Sequence, residues 1–88
     1  MKSLATPRFW RLYHQLPSEA QDLTTKSYHL WLRNPSHPSL RFRRLEGKED
    51  LATVRIGDHY RALGVLEPNQ ITWVWIGTHA EYDRLVKK

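Results

Sequence analysis

The chain has 88 residues, of which 14 are Lys or Arg and 9 are Asp or Glu, so its formal net charge is +5. This length allows one domain with a small core, and we treat residues 1–88 as a single domain. The absence of cysteine excludes disulfide bonds and thiolate metal sites. The positive charge favours an acidic partner, either nucleic acid or an acidic protein.

Targeting and membrane segments are not indicated by the sequence. The first ten residues, MKSLATPRFW, lack the apolar run of a signal peptide. No stretch approaches the roughly 20 apolar residues that a membrane-spanning helix needs. We therefore expect a cytoplasmic protein with no membrane partner.

Two amphipathic helices are predicted in the first half of the chain. After a candidate short strand at Lys2–Ala5, Thr6-Pro7 is typical of an N-cap followed by a first-turn proline. Ser18 and Gln21 have the spacing of a capping box, which predicts a second helix. That helix should end before Asn34-Pro35, because a residue preceding proline is disfavoured in the α region. The short connection between the two helices predicts an antiparallel helical hairpin with one apolar face.

The second half of the chain predicts a sheet. Leu40–Leu45 alternates apolar and basic residues, and strand-forming runs follow at Thr53–Ile56, Tyr60–Glu67 and Ile71–Ile76. Their short connections require consecutive strands to be antiparallel neighbours. Ala80–Lys88 is compatible with one or two helical turns.

The predicted fold class is therefore α+β. A helical hairpin packs on a mainly antiparallel, twisted four-stranded sheet, because the sheet is the surface available to cover the apolar face of the hairpin. A short N-terminal strand and a C-terminal helix are candidate additions.

Several arginines lie on adjacent predicted strands and could converge on the face that the helices leave open. Guanidinium groups suit phosphate oxygens because they can bind them in bidentate fashion. A solvated strand face would also carry such residues, and this reading is favoured for Arg41 and Arg44. A binding role is favoured for Arg55 and Arg61. The whole set is Arg41, Arg43, Arg44, Arg55 and Arg61.

His79 follows the last predicted strand, and Tyr82 lies one turn further on. Histidine titrates near neutrality, so a positioned imidazole can move protons. The alternative is a capping or surface histidine. No two histidines have the H-x-x-x-H spacing, and no Gly-rich phosphate loop is present, so neither a metal site nor a nucleotide-phosphate loop is predicted.

Two motifs follow one another along the predicted sheet, VRIGDHYR at Val54–Arg61 and WVWIGTH at Trp73–His79. Together with Leu45-Glu46-Gly47, Asn34-Pro35 and the ααββββ order, they resemble the RelE/ParE superfamily of bacterial toxins. The resemblance covers nearly the whole chain. It implies the toxin of a type II toxin–antitoxin system, with a cognate antitoxin as partner. It also implies an endoribonuclease that cleaves mRNA on the ribosome.

The resemblance further implies a mechanism without metal or cofactor. The 2′-OH of the RNA attacks the adjacent phosphate, and the enzyme supplies cations, a base and an acid. By position, Arg61 matches the arginine that holds the scissile phosphate, and Arg55 matches a basic strand residue. His79 matches a catalytic arginine or histidine, and Tyr82 lies near a tyrosine that stacks on a base or assists proton transfer. The remaining RNA-binding candidates are Arg41, Arg43 and Arg44.

The chain departs from the family pattern at three positions. Glu46 stands where many relatives have a basic residue, Thr53 where some have a catalytic lysine, and Ala80 where an arginine is common. The superfamily also includes gyrase-poisoning toxins that lack the nuclease residues. A ribosome-dependent endoribonuclease, a gyrase inhibitor and a non-catalytic binding relic thus remain alternatives, and Arg61 and His79 favour the first.

Overall fold

The computed structural model describes residues 1–87 and has the predicted α+β fold. Its three helices are α1 (Pro7–His14), α2 (Ser18–Arg33) and α3 (His79–Val86). Its strands are β1 (Lys2–Ala5), β2 (Arg43–Leu45), β3 (Lys48–Ile56), β4 (Tyr60–Glu67) and β5 (Gln70–Thr78). No helix within these residues is long and apolar enough to cross a membrane.

The strands form one mixed sheet in the order β1-β5-β4-β3-β2. Strands β2 to β5 are antiparallel neighbours, as their short connections require. The candidate strand at Lys2–Ala5 is present and pairs in parallel with β5. Residues 6–69 separate the two strands, which is ample chain for the long connection that parallel pairing needs. The sheet therefore has five strands, the four that were predicted and the candidate strand β1.

Two predicted boundaries were wrong. The strand predicted at Leu40–Leu45 begins only at Arg43, because Pro38–Leu40 forms a short 3₁₀ helix that ends at Arg41 in the left-handed region, with φ 46°. The strand predicted at Thr53–Ile56 begins earlier than predicted. Gly47 adopts φ +80°, which allows β3 to begin at Lys48.

The helix starts differ in how they are capped. The Thr6 side chain accepts a hydrogen bond from the backbone N–H of Phe9 (3.1 Å), as predicted for α1. The capping box predicted at Ser18 was wrong, because Ser18 is already the first helical residue and Pro17 precedes it. Gln21 instead donates to the carbonyls of Tyr13 and Leu16 (3.2 and 3.1 Å), so it satisfies the end of α1.

The main core lies between the sheet and the helices α1 and α2. Trp31 of α2 meets Phe42 and Trp73 edge-on, with ring centroids 5.6 Å apart in both pairs. Burial of each large apolar side chain contributes roughly 1.5–3 kcal/mol. The buried members of this core include Phe9, Trp31, Leu40, Val54, Ile56, Ile71, Trp73 and Ile76.

A second, smaller cluster lies on the opposite face of the sheet, under α3. It contains Leu63, Trp75 and Tyr82. Trp73 and Trp75 face opposite sides because the pairing with β4 skips Val74: Leu63 pairs with Trp75 and Gly64 pairs with Trp73. Such a bulge inserts one unpaired residue and inverts the alternation beyond it. It allows β5 to contribute a tryptophan to each cluster.

Candidate functional site

The register of β3, β4 and β5 places two arginines side by side on the face that carries α3. Arg55 pairs directly with Arg61, and Arg61 pairs in turn with Gly77. Like charges directly opposite one another are unfavourable unless each finds another partner. Arg55 turns to the adjacent hairpin, where its Nε donates to the carbonyl of Gly57 (3.0 Å) and its Nη2 donates to Asp58 Oδ1 (2.6 Å).

Arg61 is the buried member of the pair, with 8% of its surface exposed. Its Nε donates to His79 Nδ1 (3.0 Å), and its guanidinium carbon lies 5.2 Å from the centre of the Tyr82 ring. Within residues 1–87, its buried Nη1 has no hydrogen-bond partner. A buried cationic donor without an acceptor favours an anionic ligand, because leaving such a group unsatisfied is costly.

Burial lowers the pKa of the Arg61 guanidinium below its ordinary value, because the charged form loses hydration there. The like charges of Arg43 and Arg41 act in the same direction, whereas Tyr82 and Asp83 oppose it. An arginine remains charged in proteins despite such a shift. The site therefore holds a poorly hydrated cation beside other cations.

His79 is positioned by the junction between β5 and α3. Its backbone N–H donates to the carbonyl of His59 (2.7 Å). Its ring lies between Arg61 and Asp83, with Nε2 3.3 Å from Asp83 Oδ2, and both the His79 and Asp83 side chains are about half exposed. Asp83 stands four residues after His79, so the two lie on the same face of α3.

The start of α3 is held by a capping box. The Thr78 hydroxyl accepts from the backbone N–H of Glu81 (3.1 Å), and the Glu81 carboxylate accepts from the backbone N–H of Thr78 (2.9 Å). The Thr78 hydroxyl also donates to the Glu81 carboxylate (3.1 Å). The two hydrogen bonds that this carboxylate accepts, first from the Thr78 backbone N–H and then from the hydroxyl, lower the pKa of the Glu81 carboxyl. The box therefore fixes the helix turn that carries His79.

Tyr82 is buried, with 7% of its surface exposed. Its ring packs against Trp75, with centroids 6.4 Å apart, while Arg61 lies over the ring. The ring thus supports the guanidinium from below, in a cation–π arrangement. Base stacking by Tyr82 would require the ring to leave this packing.

These side chains surround a pocket of about 230 Å³. The pocket lies at one end of the sheet face, beside His79 at the N-terminus of α3. The lining contains three arginines and a histidine but one carboxylate, so it is cationic, as phosphate binding requires. The lining residues are Arg41, Arg55, Asp58, Tyr60, Arg61 and His79.

The structure brings together most of the residues that the sequence singled out. Arg41, Arg55, Arg61 and His79 line the pocket. Arg43 pairs with Thr53 on the same face and influences Arg61 from there.

Arg44 does not join the others. It pairs with Ala52, a residue of the main core on the opposite face, and its Nη1 donates to the carbonyl of Glu49 (2.7 Å). Several of the five arginines therefore share one face, as expected, and Arg44 is the one that lies elsewhere.

Sequence reasoning missed Asp83 as a neighbour of His79. The signal available was the four-residue spacing, which places both residues on one helix face. Across residues 1–87 there is no group of three or more His, Asp or Glu side chains that could hold a metal ion.

A family model described as a ParE-like toxin domain matches residues 21–84, a range that contains every residue of the pocket. A search among curated proteins found no significant match.

Several solved structures share the fold at low sequence identity. The RelB–RelE antitoxin–toxin complex from Methanococcus jannaschii matches with a TM-score of 0.74 and 12% identity, over 94% of this chain and 98% of that one. YafQ from E. coli BL21(DE3) matches with a TM-score of 0.73 and 10% identity, over 92% and 96%. The isolated E. coli RelE toxin matches with a TM-score of 0.67 and 16% identity, over 98% and 95%.

Proposed function

The chain belongs to the ParE-like toxin family, and from this premise we propose that it is an endoribonuclease that cleaves mRNA on the ribosome. In this proposal it inhibits translation in the cytoplasm as the toxin of a type II toxin–antitoxin system. It uses no metal ion or cofactor, and a cognate antitoxin neutralises it.

The observation that carries the proposal is the buried Arg61, which lies next to His79 and whose Nη1 has no hydrogen-bond partner in the described part of the chain, residues 1–87. A phosphodiester of the RNA enters the pocket and accepts hydrogen bonds from Arg61. Arg55 and Arg41 lie at the same pocket and add positive charge. Because the surroundings of Arg61 are poorly hydrated, its charge acts on the phosphate with little screening.

Cleavage then follows from the chemistry of RNA. The 2′-oxygen forms a bond to phosphorus and gives its proton to solvent water, and the bond from phosphorus to the 5′-oxygen breaks. Negative charge accumulates on the phosphate oxygens, where Arg61 stabilises it. The departing 5′-oxygen takes a proton from His79, the titratable side chain hydrogen-bonded to Arg61.

Arg43 is assigned to RNA binding rather than to chemistry in this proposal. Arg43 lies on the same sheet face as Arg61 and extends the positive surface beyond the pocket. Arg44, on the opposite face and bonded to Glu49, is left outside the site.

The antitoxin is proposed to cover this basic face or to displace α3. The fold neighbours include an antitoxin–toxin complex, which supports a protein partner for this chain as well. The net charge of +5 favours an acidic segment in that partner.

Expression of the chain without an antitoxin tests the proposal and separates it from gyrase poisoning. We expect growth to stop, with amino-acid incorporation falling before any DNA-damage response begins. The variant Arg61→Ala should restore growth, because removal of one charge-stabilising donor costs about 10²–10³-fold in rate. Arg44→Ala is the matched control and should remain toxic. A DNA-damage response that precedes the loss of translation would assign the chain to the gyrase inhibitors, and no growth effect would indicate a non-catalytic relic.

A further inference from the structure

The two ring nitrogens of His79 face groups of opposite charge, a guanidinium and a carboxylate. Nδ1 accepts a hydrogen bond from Arg61 Nε at 3.0 Å, and Nε2 lies 3.3 Å from Asp83 Oδ2. A guanidinium can donate but cannot accept, so Nδ1 carries no proton in this arrangement. The imidazole proton is therefore on Nε2, on the side of Asp83.

This arrangement makes the contact with Arg61 incompatible with a proton on Nδ1. Protonation of Nδ1 would set its N–H against the N–H of Arg61, and one of them would have to move. An anion bound at the Nε edge of Arg61 would be a better acceptor for the Nε–H than a neutral imidazole, because the hydrogen bond would then join two charged groups. Nδ1 would be released at the same time, and the charge of the anion would favour a proton there.

We propose that Asp83 is a positioning residue that holds the Nε2–H of His79, and that anion binding at Arg61 causes Nδ1 to take up a proton. Asp83 stabilises the resulting imidazolium through the Nε2 side, as an ion pair. The meaning of this step for catalysis rests on the proposed ribonuclease function, in which Nδ1 gives its proton to the departing 5′-oxygen. His79 then takes up a proton at Nδ1 when a phosphate is in place.

The charges around His79 account for the requirement for an anion. The ring of His79 has Arg61 on one side and Asp83 on the other, and Arg41, Arg55 and Asp58 line the same pocket. A bound anion adds negative charge beside the ring and so favours the protonated imidazole. The titratable and charged groups that face the ring from β4, α3 and the rest of the pocket are Arg61, Tyr60, Tyr82, Asp83, Arg41, Arg55 and Asp58.

Nuclear magnetic resonance of the full chain with ¹⁵N-labelled histidine tests the proton positions. Sulfate is the probe, because it does not titrate near neutral pH, and chloride at equal ionic strength is the control. Without sulfate at pH 8, we expect the His79 spectrum of a ring protonated on Nε2 alone. Saturating sulfate near pH 7 should convert it to a doubly protonated ring, while the exposed His59 remains unchanged. A proton on Nδ1 in the free protein, or no change with sulfate, would overturn the proposal.

Sulfate affinity measured between pH 8 and pH 6 tests the role of Asp83. We expect the affinity to rise by up to about tenfold for each unit of falling pH, the limit for uptake of one proton. His79→Gln should abolish this rise. Asp83→Asn should bind sulfate at pH 8 as the unaltered chain does, yet show a clearly smaller rise. Asp22→Asn, an exposed carboxylate on α2, is the matched control and should behave like the unaltered chain.

A pH-independent affinity, or an Asp83→Asn variant with the full rise, would contradict the proposal. None of these measurements involves RNA cleavage. If the chain cleaves no RNA while sulfate binding remains linked to the protonation of His79, the proposed function fails and the inference stands. The converse result would refute the inference and leave the ribonuclease proposal in place.

Discussion

His79 combines two properties that a single surface histidine would lack, a hydrogen bond from a buried arginine and an adjacent carboxylate. The substitution His79→Gln tests whether proton transfer is its function. Glutamine retains an oxygen that can accept the Arg61 hydrogen bond, but it cannot release a proton. We expect cleavage of mRNA on purified ribosomes to fall by about 10²–10⁴-fold, the usual contribution of a general acid, with ribosome binding nearly unchanged.

His59→Gln is the control for this experiment. His59 lies in the turn between β3 and β4, and its backbone carbonyl, which the substitution retains, accepts a hydrogen bond from the backbone N–H of His79. Equal losses from both substitutions, or a loss confined to binding, would show that His79 serves only to position other groups.

Tyr82 offers a test that separates packing from chemistry. If its ring mainly supports Arg61 and fills the second cluster, Tyr82→Phe should keep both stability and activity, because the ring remains. Tyr82→Ala should lower the free energy of unfolding by about 3 kcal/mol or more, as is typical of removing a buried aromatic ring. Chemical denaturation measures the second effect. A large loss of cleavage in Tyr82→Phe, with stability unchanged, would instead give the hydroxyl a role in proton transfer.

Individual site residues were predictable from the sequence to different degrees. Arg61 and His79 occur in motifs whose order along the strands brings them to one place, and the structure places them in contact. Asp83 was not anticipated, because a half-exposed carboxylate on a short helix resembles any surface residue. Arg44 was grouped with the other arginines because one strand was expected from Leu40 to Leu45. Arg44 nevertheless lies on the opposite face from Arg43, because successive residues of β2 point to opposite sides of the sheet.

The helix α3 carries His79, Tyr82 and Asp83 on only eight residues, so its first turn needs support from the cap. Thr78→Ala removes the hydroxyl that accepts the Glu81 N–H. We expect a loss of about 1 kcal/mol in the free energy of unfolding and a fall in cleavage, because the helix turn under His79 becomes less ordered. Thr25→Ala is the control: the exposed Thr25 hydroxyl only donates to the carbonyl one turn earlier in α2. Similar effects of the two substitutions would show that the cap has no special role.

The same cap has a predictable pH dependence. Folding lowers the pKa of Glu81, so the unfolded chain binds this proton more readily than the folded chain does. The stability that Glu81 contributes is therefore present above its unfolded pKa and is lost as the pH falls through its folded pKa. Denaturation curves in the acidic range should show a smaller pH-dependent loss in Glu81→Gln than in the unaltered chain. The contribution is small, since the carboxylate is exposed to solvent.

The type and order of the larger elements were predictable, because helical spacing and short antiparallel connections are local properties of the sequence. The bulge at Val74 was not predictable from the sequence. Strict alternation would place Trp73 and Trp75 on one face, and only the pairing with β4 shows that they face opposite clusters. The pairing of β1 could not be predicted either, because the hydrophobic pattern of a four-residue strand is too short to specify a parallel partner.

The molecule as a whole has a charge of +5, and one face of its sheet carries Arg43, Arg55 and Arg61. If an acidic antitoxin segment covers this face, raising the salt concentration from about 0.05 to 0.5 M should slow association about tenfold or more, and dissociation much less. Stopped-flow mixing with the partner measures both rates. Arg43→Gln should slow association, whereas Arg8→Gln, exposed on α1, should not. A rate unaffected by salt would indicate an apolar contact near the exposed Trp10 instead.

The cleavage chemistry determines which chemical groups are found at the ends of the RNA fragments. Attack by the 2′-oxygen produces a fragment with a 2′,3′-cyclic phosphate and a second fragment with a 5′-hydroxyl. The most direct measurement is therefore an analysis of the fragment ends after the purified chain acts on ribosomes programmed with a defined mRNA. We expect these two ends, no cleavage at a site whose nucleotide carries a 2′-deoxyribose, and a loss of about 10²–10³-fold in Arg61→Ala. Fragments with 5′-phosphates, cleavage at the 2′-deoxy site, or full activity in Arg61→Ala would contradict the mechanism.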